Sequence, residues 1–211
     1  EDMIRIIDTR ISDMSFVLDN LDAIERQNPG LKGKLNQNMI IAAGHSIGTQ
    51  VVLVNTGQRI RNPMNNHITG SSEDRFMAAV MLSDPGKMAM MPENTWKGGM
   101  TPTFLSTGPK DYGLMGDGRR AAEYQNEILS LPEKLTGDKY LLLIEDGDHY
   151  FGGLIHREVD MVPDHDGLEI FNAASLAFMD AYTRDAASAW AFLKPNNLSS
   201  ATDGRFLLTV E

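Results

Sequence analysis

The sequence contains no cysteine, which excludes disulfide bonds, thiolate zinc sites and a cysteine nucleophile. Cations are scarce as well, since Lys and Arg number 19 against 29 for Asp and Glu, giving a formal net charge of −10. Such a balance repels a phosphate backbone, so we expect no nucleic-acid partner. No apolar run approaches the roughly 20 residues that a membrane-spanning helix needs, so no membrane span is expected.

What the chain does have is typical of a packed globular protein. Of its 211 residues, 42% are hydrophobic and 23% are charged. No internal repeat or linker divides it, so we expect a single domain over residues 1–211. The chain opens at Glu1 without an initiator Met, which indicates that something upstream was removed. The cellular location is therefore left open, and a secreted or periplasmic location is compatible with a lost signal peptide.

Four short, almost wholly apolar runs are typical of parallel strands that are covered on both faces. They are Asn38–Gly44, Phe76–Ser83, Pro102–Thr107 and Lys139–Ile144. Helical patterns surround them, at Ile4–Ile24, Ile47–Thr56, Arg119–Leu131, Leu168–Arg184 and Ala186–Leu193. This alternation predicts an α/β fold with a mostly parallel sheet and helices on both faces.

A methionine-dense stretch interrupts the alternation at residues 84–101. It contains Met88, Met90, Met91 and Trp96, and we interpret it as a substrate loop. Together with Tyr150 and Phe151, its apolar side chains predict one wall of a binding pocket, with Trp96, Tyr150 and Phe151 as substrate-binding residues. A surface excursion and ordinary packing are the alternatives that the sequence leaves open.

Residues Gly44–Gly48 read Gly-His-Ser-Ile-Gly and match the G-x-S-x-G pattern of a nucleophile elbow. In that turn a serine lies at a sharp bend between a strand and a helix, with its hydroxyl above the sheet. The context fits, because an apolar run ends at Gly44 and a helical pattern starts after Ser46. We expect a side chain at either glycine to collide with the neighbouring strand or helix.

A serine hydroxyl is a poor nucleophile at neutral pH unless an imidazole accepts its proton and a carboxylate orients that imidazole. Asp111 follows the third apolar run, and His149 follows the fourth. Parallel strands place their carboxyl ends at one edge of the sheet, where α/β proteins bind their ligands. We therefore expect Ser46, Asp111 and His149 to converge, although 65 and 38 residues separate them along the chain.

Other carboxylates compete for the acidic role. Asp84 follows the second apolar run and is the main rival of Asp111. Asp146 and Asp148 adjoin His149, but neighbours in a turn seldom face the same ring nitrogen, so we expect them to project elsewhere.

Four further histidines compete less well with His149. His45 lies inside the elbow, where we expect it to point away from the nucleophile, and His67 lies in a polar loop. His156 and His165 occur in a charged segment whose Asp-His-Asp-Gly run lacks the oxygen-ligand spacing of a calcium loop. We therefore expect no metal site.

Several stretches of this chain resemble the α/β-hydrolase superfamily, and specifically its dienelactone-hydrolase-like, platelet-activating-factor-acetylhydrolase-like and cutinase-like esterases. They are the Gly-His-Ser-Ile-Gly elbow, the upstream helix around Arg10–Leu21, the Gly108–Asp111 turn and Lys139–His149. The resemblance implies the α/β-hydrolase fold, with Ser46 as nucleophile, Asp111 as acid and His149 as base. It also implies that the backbone N–H of Ile47 contributes to the oxyanion hole.

Two departures from the family qualify this resemblance. Dienelactone hydrolases have a cysteine nucleophile, whereas Ser46 favours ordinary ester cleavage. The family fold has about eight strands, but only four are visible here, all from its second half. We therefore expect the N-terminal strands, and with them the second oxyanion donor, to lie on another chain or in a preceding segment.

The sequence thus predicts a serine carboxylic-ester hydrolase acting on a small-molecule ester through an acyl-enzyme, without a metal or organic cofactor. A serine peptidase of the same fold and a non-catalytic binding protein of that fold are the alternatives. Acyl and alcohol specificity and oligomeric state are left open.

Overall fold

The computed structural model describes residues 2–61, 66, 68–70, 72–83, 101–111, 137–155 and 161–210. Its helices are α1 (Asp2–Asp19), α2 (Leu21–Gln27), α3 (Ile47–Asn55), α4 (His165–Arg184), α5 (Ala187–Phe192) and α6 (Pro195–Ala201), with a 3₁₀ turn at Pro29–Leu31. Its strands are β1 (Ile40–His45), β2 (Ile60–Arg61), β3 (Ile68–Thr69), β4 (Phe76–Leu82), β5 (Thr103–Thr107), β6 (Lys139–Ile144) and β7 (Phe206–Val210).

Five of these strands form one sheet in the order β1-β4-β5-β6-β7. The first four are parallel, and β7 runs antiparallel to β6. All four predicted strands are present, with ends that differ by no more than two residues from the expected ones. The prediction of an α/β fold with a mostly parallel sheet flanked by helices is therefore confirmed.

The four parallel strands are largely apolar because they supply side chains to two cores, one on each face of the sheet. On one face, Met81, Leu105 and Leu141 pack with Ile7 of α1 and Leu53 of α3. On the other face their sequence neighbours Val80, Phe104 and Leu142 pack against α4, α5 and α6. Phe171 and Phe178 of α4 belong to this second core. The sheet is thus held rigidly between two layers of helix, and its carboxyl-terminal edge provides a firm platform for polar side chains.

The predicted N-terminal helix is in fact two helices, because the chain breaks at Asn20. The Asn20 side chain donates to the carbonyl of Phe16 at 2.8 Å, which is the acceptor that its own N–H would use in a continuous helix. Its N–H bonds to the carbonyl of Val17 at 3.1 Å instead. Side-chain competition for a backbone acceptor therefore ends α1, an effect that hydrophobic periodicity does not reveal.

Helix α1 is also fixed to the start of β4 by polar contacts. Arg75 forms ion pairs with Asp19 at 2.7 Å and with Glu73 at 2.6 Å, and the hydroxyl of Ser15 donates to Glu73 at 2.9 Å. Hydrogen bonding from Arg75 lowers the pKa of Glu73 to about 2. These contacts link α1 to the segment before β4, in addition to the packing of Ile7 and Leu18 in the core.

Four elements of the described residues were not predicted from the sequence: helix α6, strand β7, and strands β2 and β3, which form a short antiparallel pair. In β7, Phe206 and Leu208 are buried while Leu207 is 48% exposed, so only one face of this strand is covered. That alternation marks an antiparallel edge strand rather than a buried parallel one. The helix expected at Arg119–Leu131 lies outside the described residues.

Strand β1 pairs only with β4, so it borders the sheet in the part of the chain that the structure describes. Beside it, an apolar groove of about 770 Å³ runs between α1, β1 and α3. Ala43 of β1 and Gly48 of α3 are among its lining residues, together with Ile6 and Val17, which are 51% and 47% exposed. The groove borders the back of the elbow and does not include Ser46.

Candidate active site

Ser46 occupies the sharp bend between β1 and α3. Its backbone angles are φ 56° and ψ −127°, a left-handed φ that is uncommon for a residue with a side chain. The bend is held on both sides: the N–H of Ser46 donates to the carbonyl of Leu82 at 3.0 Å, and its carbonyl accepts from the hydroxyl of Thr49 at 2.7 Å. Backbone strain at one residue is maintained here by fixed neighbours.

The two glycines of the elbow have different roles. A Cβ on Gly44 would lie 2.5 Å from the carbonyl oxygen of Gly48, because β1 and α3 touch at that point. A Cβ on Gly48 would meet nothing within 4 Å among the described residues. The expectation that both positions are sterically crowded is therefore correct for Gly44 and wrong for Gly48.

The three residues predicted to converge do meet at the carboxyl-terminal edge of the sheet. His149 Nε2 lies 2.8 Å from the hydroxyl oxygen of Ser46, and His149 Nδ1 lies 2.7 Å from Asp111 Oδ1. Asp111 is 0% exposed and His149 is 7% exposed. Because the carboxylate can only accept, Nδ1 carries the hydrogen and Nε2 of a neutral ring is left to accept from Ser46.

The loops that carry the acid and the histidine touch each other directly. A Cβ on Gly108 would lie 2.4 Å from the carbonyl oxygen of Gly147, so only glycine allows this approach. The N–H of Lys110 donates to the same carbonyl at 3.1 Å, and Lys110 Nζ pairs with Asp146 at 2.9 Å. This contact brings Asp111 and His149 within reach of one another.

The second carboxylate oxygen of Asp111 also has a partner. Thr107, the last residue of β5, donates its hydroxyl to Asp111 Oδ2 at 3.1 Å in a buried contact. Asp111 is therefore held through both oxygens, one by Thr107 and one by His149. Sequence reasoning did not single out Thr107, although a threonine four residues before the acid is compatible with such a contact.

The acidic neighbours of His149 serve other partners. Asp148 accepts from the N–H groups of Tyr150 and Gly152, both at 2.8 Å, and so shapes the turn that holds the histidine. Asp146 faces Lys110, and that ion pair lowers the pKa of Asp146. Asp84, the expected rival acid, lies outside the described residues.

His45 does not point away from the site as expected. Its Nε2 lies 3.0 Å from the backbone carbonyl oxygen of His149, and the two imidazole rings are 4.9 Å apart between centroids. This correction follows from the tertiary packing, because the loop after β6 passes over the end of β1. Of the other histidines, His165 is exposed at the start of α4, and His67 and His156 lie outside the described residues.

The expected substrate-binding residues divide into three cases. Tyr150 stands edge-on to the His149 ring, with centroids 4.8 Å apart, so it lies beside the site. Phe151 is 1% exposed and packs near Phe171 in the core, which leaves its side chain no surface for a ligand. Trp96 and the methionine-dense stretch through residue 100 lie outside the described residues.

Asp164, which precedes His165, has structural partners. Asp164 caps α4 by accepting from the N–H of Gly167 at 2.9 Å, and it pairs with Arg205 at 2.6 Å. Among the described residues there is no group of three or more His, Cys, Asp and Glu side chains that could hold a metal ion.

Ile47 is the first residue of α3, directly after Ser46. The first N–H groups of a helix have no intrahelical acceptor, and the helix dipole adds partial positive charge at this end. The N–H of Ile47 therefore follows Ser46 directly in the chain, at the end of α3 that favours a negatively charged oxygen. The site combines a hydroxyl, a base that can take its proton and a buried carboxylate that orients the base.

No protein-family model matches the chain, and no curated protein matches it either. Within the residues that the structure describes, no helix is both long and apolar enough to span a membrane.

Proposed function

We propose that this chain is a serine hydrolase of the α/β-hydrolase fold that cleaves carboxylic esters through an acyl-enzyme. The observation that carries the proposal is the continuous hydrogen-bonded relay from Ser46 through His149 to Asp111, with contacts of 2.8 and 2.7 Å. The strained backbone of Ser46 supports it, because strain of this kind recurs where a nucleophile must stand clear of a sheet.

In the first half of the reaction, the Ser46 oxygen attacks the ester carbonyl carbon while its proton passes to His149 Nε2. The carbonyl electron pair moves to oxygen, and the resulting oxyanion accepts a hydrogen bond from the N–H of Ile47. Asp111 stabilises the imidazolium through Nδ1. The C–O bond of the ester then breaks, and the leaving alcohol takes the proton from Nε2.

In the second half, water replaces the alcohol. His149 removes a proton from the water, the hydroxide adds to the acyl carbon, and collapse of the second tetrahedral intermediate returns the proton to Ser46. The carboxylic acid leaves and the free serine is restored. Side chains and backbone groups supply each step, so the proposed reaction uses no metal or organic cofactor.

Strand β1, at the border of the described sheet, is relevant to the oxyanion hole. Ala43 is exposed at the border of the sheet, and the apolar groove begins there. We propose that a further strand, from a preceding segment or another chain, pairs along β1 and supplies the second oxyanion donor that the family resemblance implies. One donor of this kind is worth about a hundredfold or more in rate.

The pocket wall is proposed on fewer observations. Tyr150 lies against His149 and is only partly buried, and we propose that its ring contacts an acyl or alcohol group. Trp96 is proposed as a second wall residue on the sequence pattern alone.

The test is hydrolysis of p-nitrophenyl esters of increasing acyl length by the parent chain and by Ser46→Ala. We expect the substitution to lower kcat/KM by about a thousandfold or more, because the nucleophile is removed. For His149→Ala we expect a similar loss, and for Asp111→Asn a loss of between about a hundredfold and ten-thousandfold. Parallel assays on peptide substrates test the peptidase alternative.

Ser188→Ala is the matched control, since Ser188 is exposed in α5 on the far helical layer. It should hydrolyse the esters at the parent rate. Undiminished hydrolysis by Ser46→Ala would refute the serine mechanism, and an inactive parent chain that also resists labelling by a fluorophosphonate would refute the proposed function.

A further inference from the structure

His45 and Ser46 are adjacent in the chain, and both of them contact His149. The hydroxyl of Ser46 meets the imidazole at 2.8 Å, while the side chain of His45 meets the backbone carbonyl of the same residue at 3.0 Å. The two contacts join the end of β1 to the loop after β6 at two points. A displacement of the His149 backbone away from β1 would therefore break the His45 contact as well as the contact with Ser46.

The direction of the His45 hydrogen bond follows from its acceptor. A backbone carbonyl has no hydrogen to give, so His45 Nε2 must be the donor. The neutral tautomer with its hydrogen on Nε2 is sufficient for this contact. His45 is partly buried, and its ring lies 4.9 Å from the His149 ring and 6.1 Å from the Tyr150 ring.

The histidine loop needs such a restraint because it belongs to no helix or strand. Between Ile144 and Ile155 it turns repeatedly, with positive φ at Asp146, Phe151, Gly152 and Gly153. Asp148 organises the segment that follows the histidine, and Gly147 fixes the segment that precedes it against the acid loop. Among the described residues, His45 holds the backbone of His149 itself to the strand that bears the nucleophile.

We propose that His45 is a positioning residue that fixes the base of the proposed active site relative to its nucleophile. The expected effect on turnover rests on the proposed function, whereas the placement of His149 by His45 rests on the geometry alone. His45 acts through the carbonyl of His149 and does not touch the reacting atoms. Substrate affinity should therefore be little affected by its loss, while turnover should fall.

Two substitutions separate the hydrogen bond from the ring. His45→Phe keeps an aromatic ring against His149 and Tyr150 but removes the donor. His45→Gln removes the ring but retains an N–H donor at the same distance from the backbone. Because an error of about 1 Å at a reacting group costs on the order of a hundredfold, we expect His45→Phe to lower kcat by about 10- to 100-fold with KM within about twofold. We expect His45→Gln to recover kcat to within about threefold of the parent.

The proton between His149 Nδ1 and Asp111 gives a readout that does not depend on turnover. A hydrogen held between an imidazole and a buried carboxylate resonates far downfield in the proton NMR spectrum. The parent and His45→Gln should show this resonance sharply, and His45→Phe should show it broadened or shifted. His165→Phe, at an exposed histidine of α4, is the matched control and should resemble the parent in both assays.

The outcomes are distinguishable. If the parent hydrolyses esters in a Ser46-dependent way and His45→Phe keeps the parent kcat, the positioning role is refuted and the proposed function stands. If both His45 variants lose turnover equally, restoring the donor does not restore turnover, so the hydrogen bond does not account for the effect and the proposal is again overturned. If no Ser46-dependent hydrolysis exists, the proposed function fails, and an unchanged downfield resonance in His45→Phe would then overturn the positioning role separately.

Discussion

Replacing one glycine of the elbow with alanine should damage the protein, while replacing the other should not. A Cβ at position 44 would lie 2.5 Å from the carbonyl oxygen and 2.6 Å from the carbonyl carbon of Gly48, and 2.9 Å from the nitrogen of Thr49. These are backbone atoms of the first turn of α3, so no side chain can rotate away to make room. An ordinary contact begins near 3.4 Å, and α3 must therefore move from β1 by roughly 0.9 Å.

That displacement has a cost in stability and a cost in activity. Overpacking of this kind lowers the free energy of unfolding by about 1–3 kcal/mol. For a chain of this length the melting temperature should fall by between about 2 and 12 °C. The moving turn carries Ser46 and the N–H of Ile47, so we expect kcat/KM for a p-nitrophenyl ester to fall by about a hundredfold.

Gly48→Ala is the matched control, because a Cβ there meets no described atom within 4 Å. The added methyl restricts the unfolded chain at a helical position, which should raise the free energy of unfolding by about 0.4–1 kcal/mol. Activity should stay within about twofold of the parent. Urea unfolding and ester hydrolysis on both variants test the reasoning, and equal damage at the two positions, or an undamaged Gly44→Ala, would refute it.

Two further outcomes follow from single side chains. Thr107→Val removes the hydrogen bond to Asp111 Oδ2 at constant volume and should lower kcat/KM roughly tenfold. Thr103→Val, near the opposite end of β5, should leave kcat/KM unchanged. If Thr107→Val has the kcat/KM of the parent, the second carboxylate contact is dispensable. Burial lowers the pKa of Lys139 to about 8. Between pH 7 and 9.5 the folded chain therefore loses a proton from Lys139 that the unfolded chain still holds. Because of this difference, the free energy of unfolding should rise by about 2 kcal/mol over that pH range. Urea unfolding across that range should show the rise in the parent and not in Lys139→Met, and parallel curves for the two proteins would contradict the buried-lysine interpretation.

Local sequence was sufficient to predict a structural feature wherever that feature depends on a single strand, helix or turn. The inner parallel strands β4, β5 and β6 are mostly buried on both faces, so a nearly continuous apolar run such as Lys139–Ile144 identifies such a strand without knowledge of its neighbours. The elbow is likewise local, because a serine between an apolar run and a helical pattern leaves the chain few conformations. In contrast, β7 has one exposed face and a mixed pattern, and its identity depends on pairing with β6.

Contacts between loops that are distant in the sequence could not be predicted from local sequence patterns. The crowding at Gly44 and the open space at Gly48 are indistinguishable in the sequence, since both glycines belong to the same motif. The orientation of His45 depends on the loop after β6, which begins about a hundred residues later in the chain. Phe151 was expected at the pocket wall, but its ring is buried in the core beside Phe171 of α4.

The sequence by itself determined the kind of layers in this protein and the residue types available at the strand ends, because burial on two faces and a bend at a serine are properties of a few consecutive residues. Only the tertiary structure decided which oxygen of Asp111 faces His149 and which glycine of the elbow leaves no room for a Cβ. It also decided that His45 contacts the backbone carbonyl of His149. These depend on distances of a few ångströms between loops far apart in sequence, and packing of the whole sheet sets such distances.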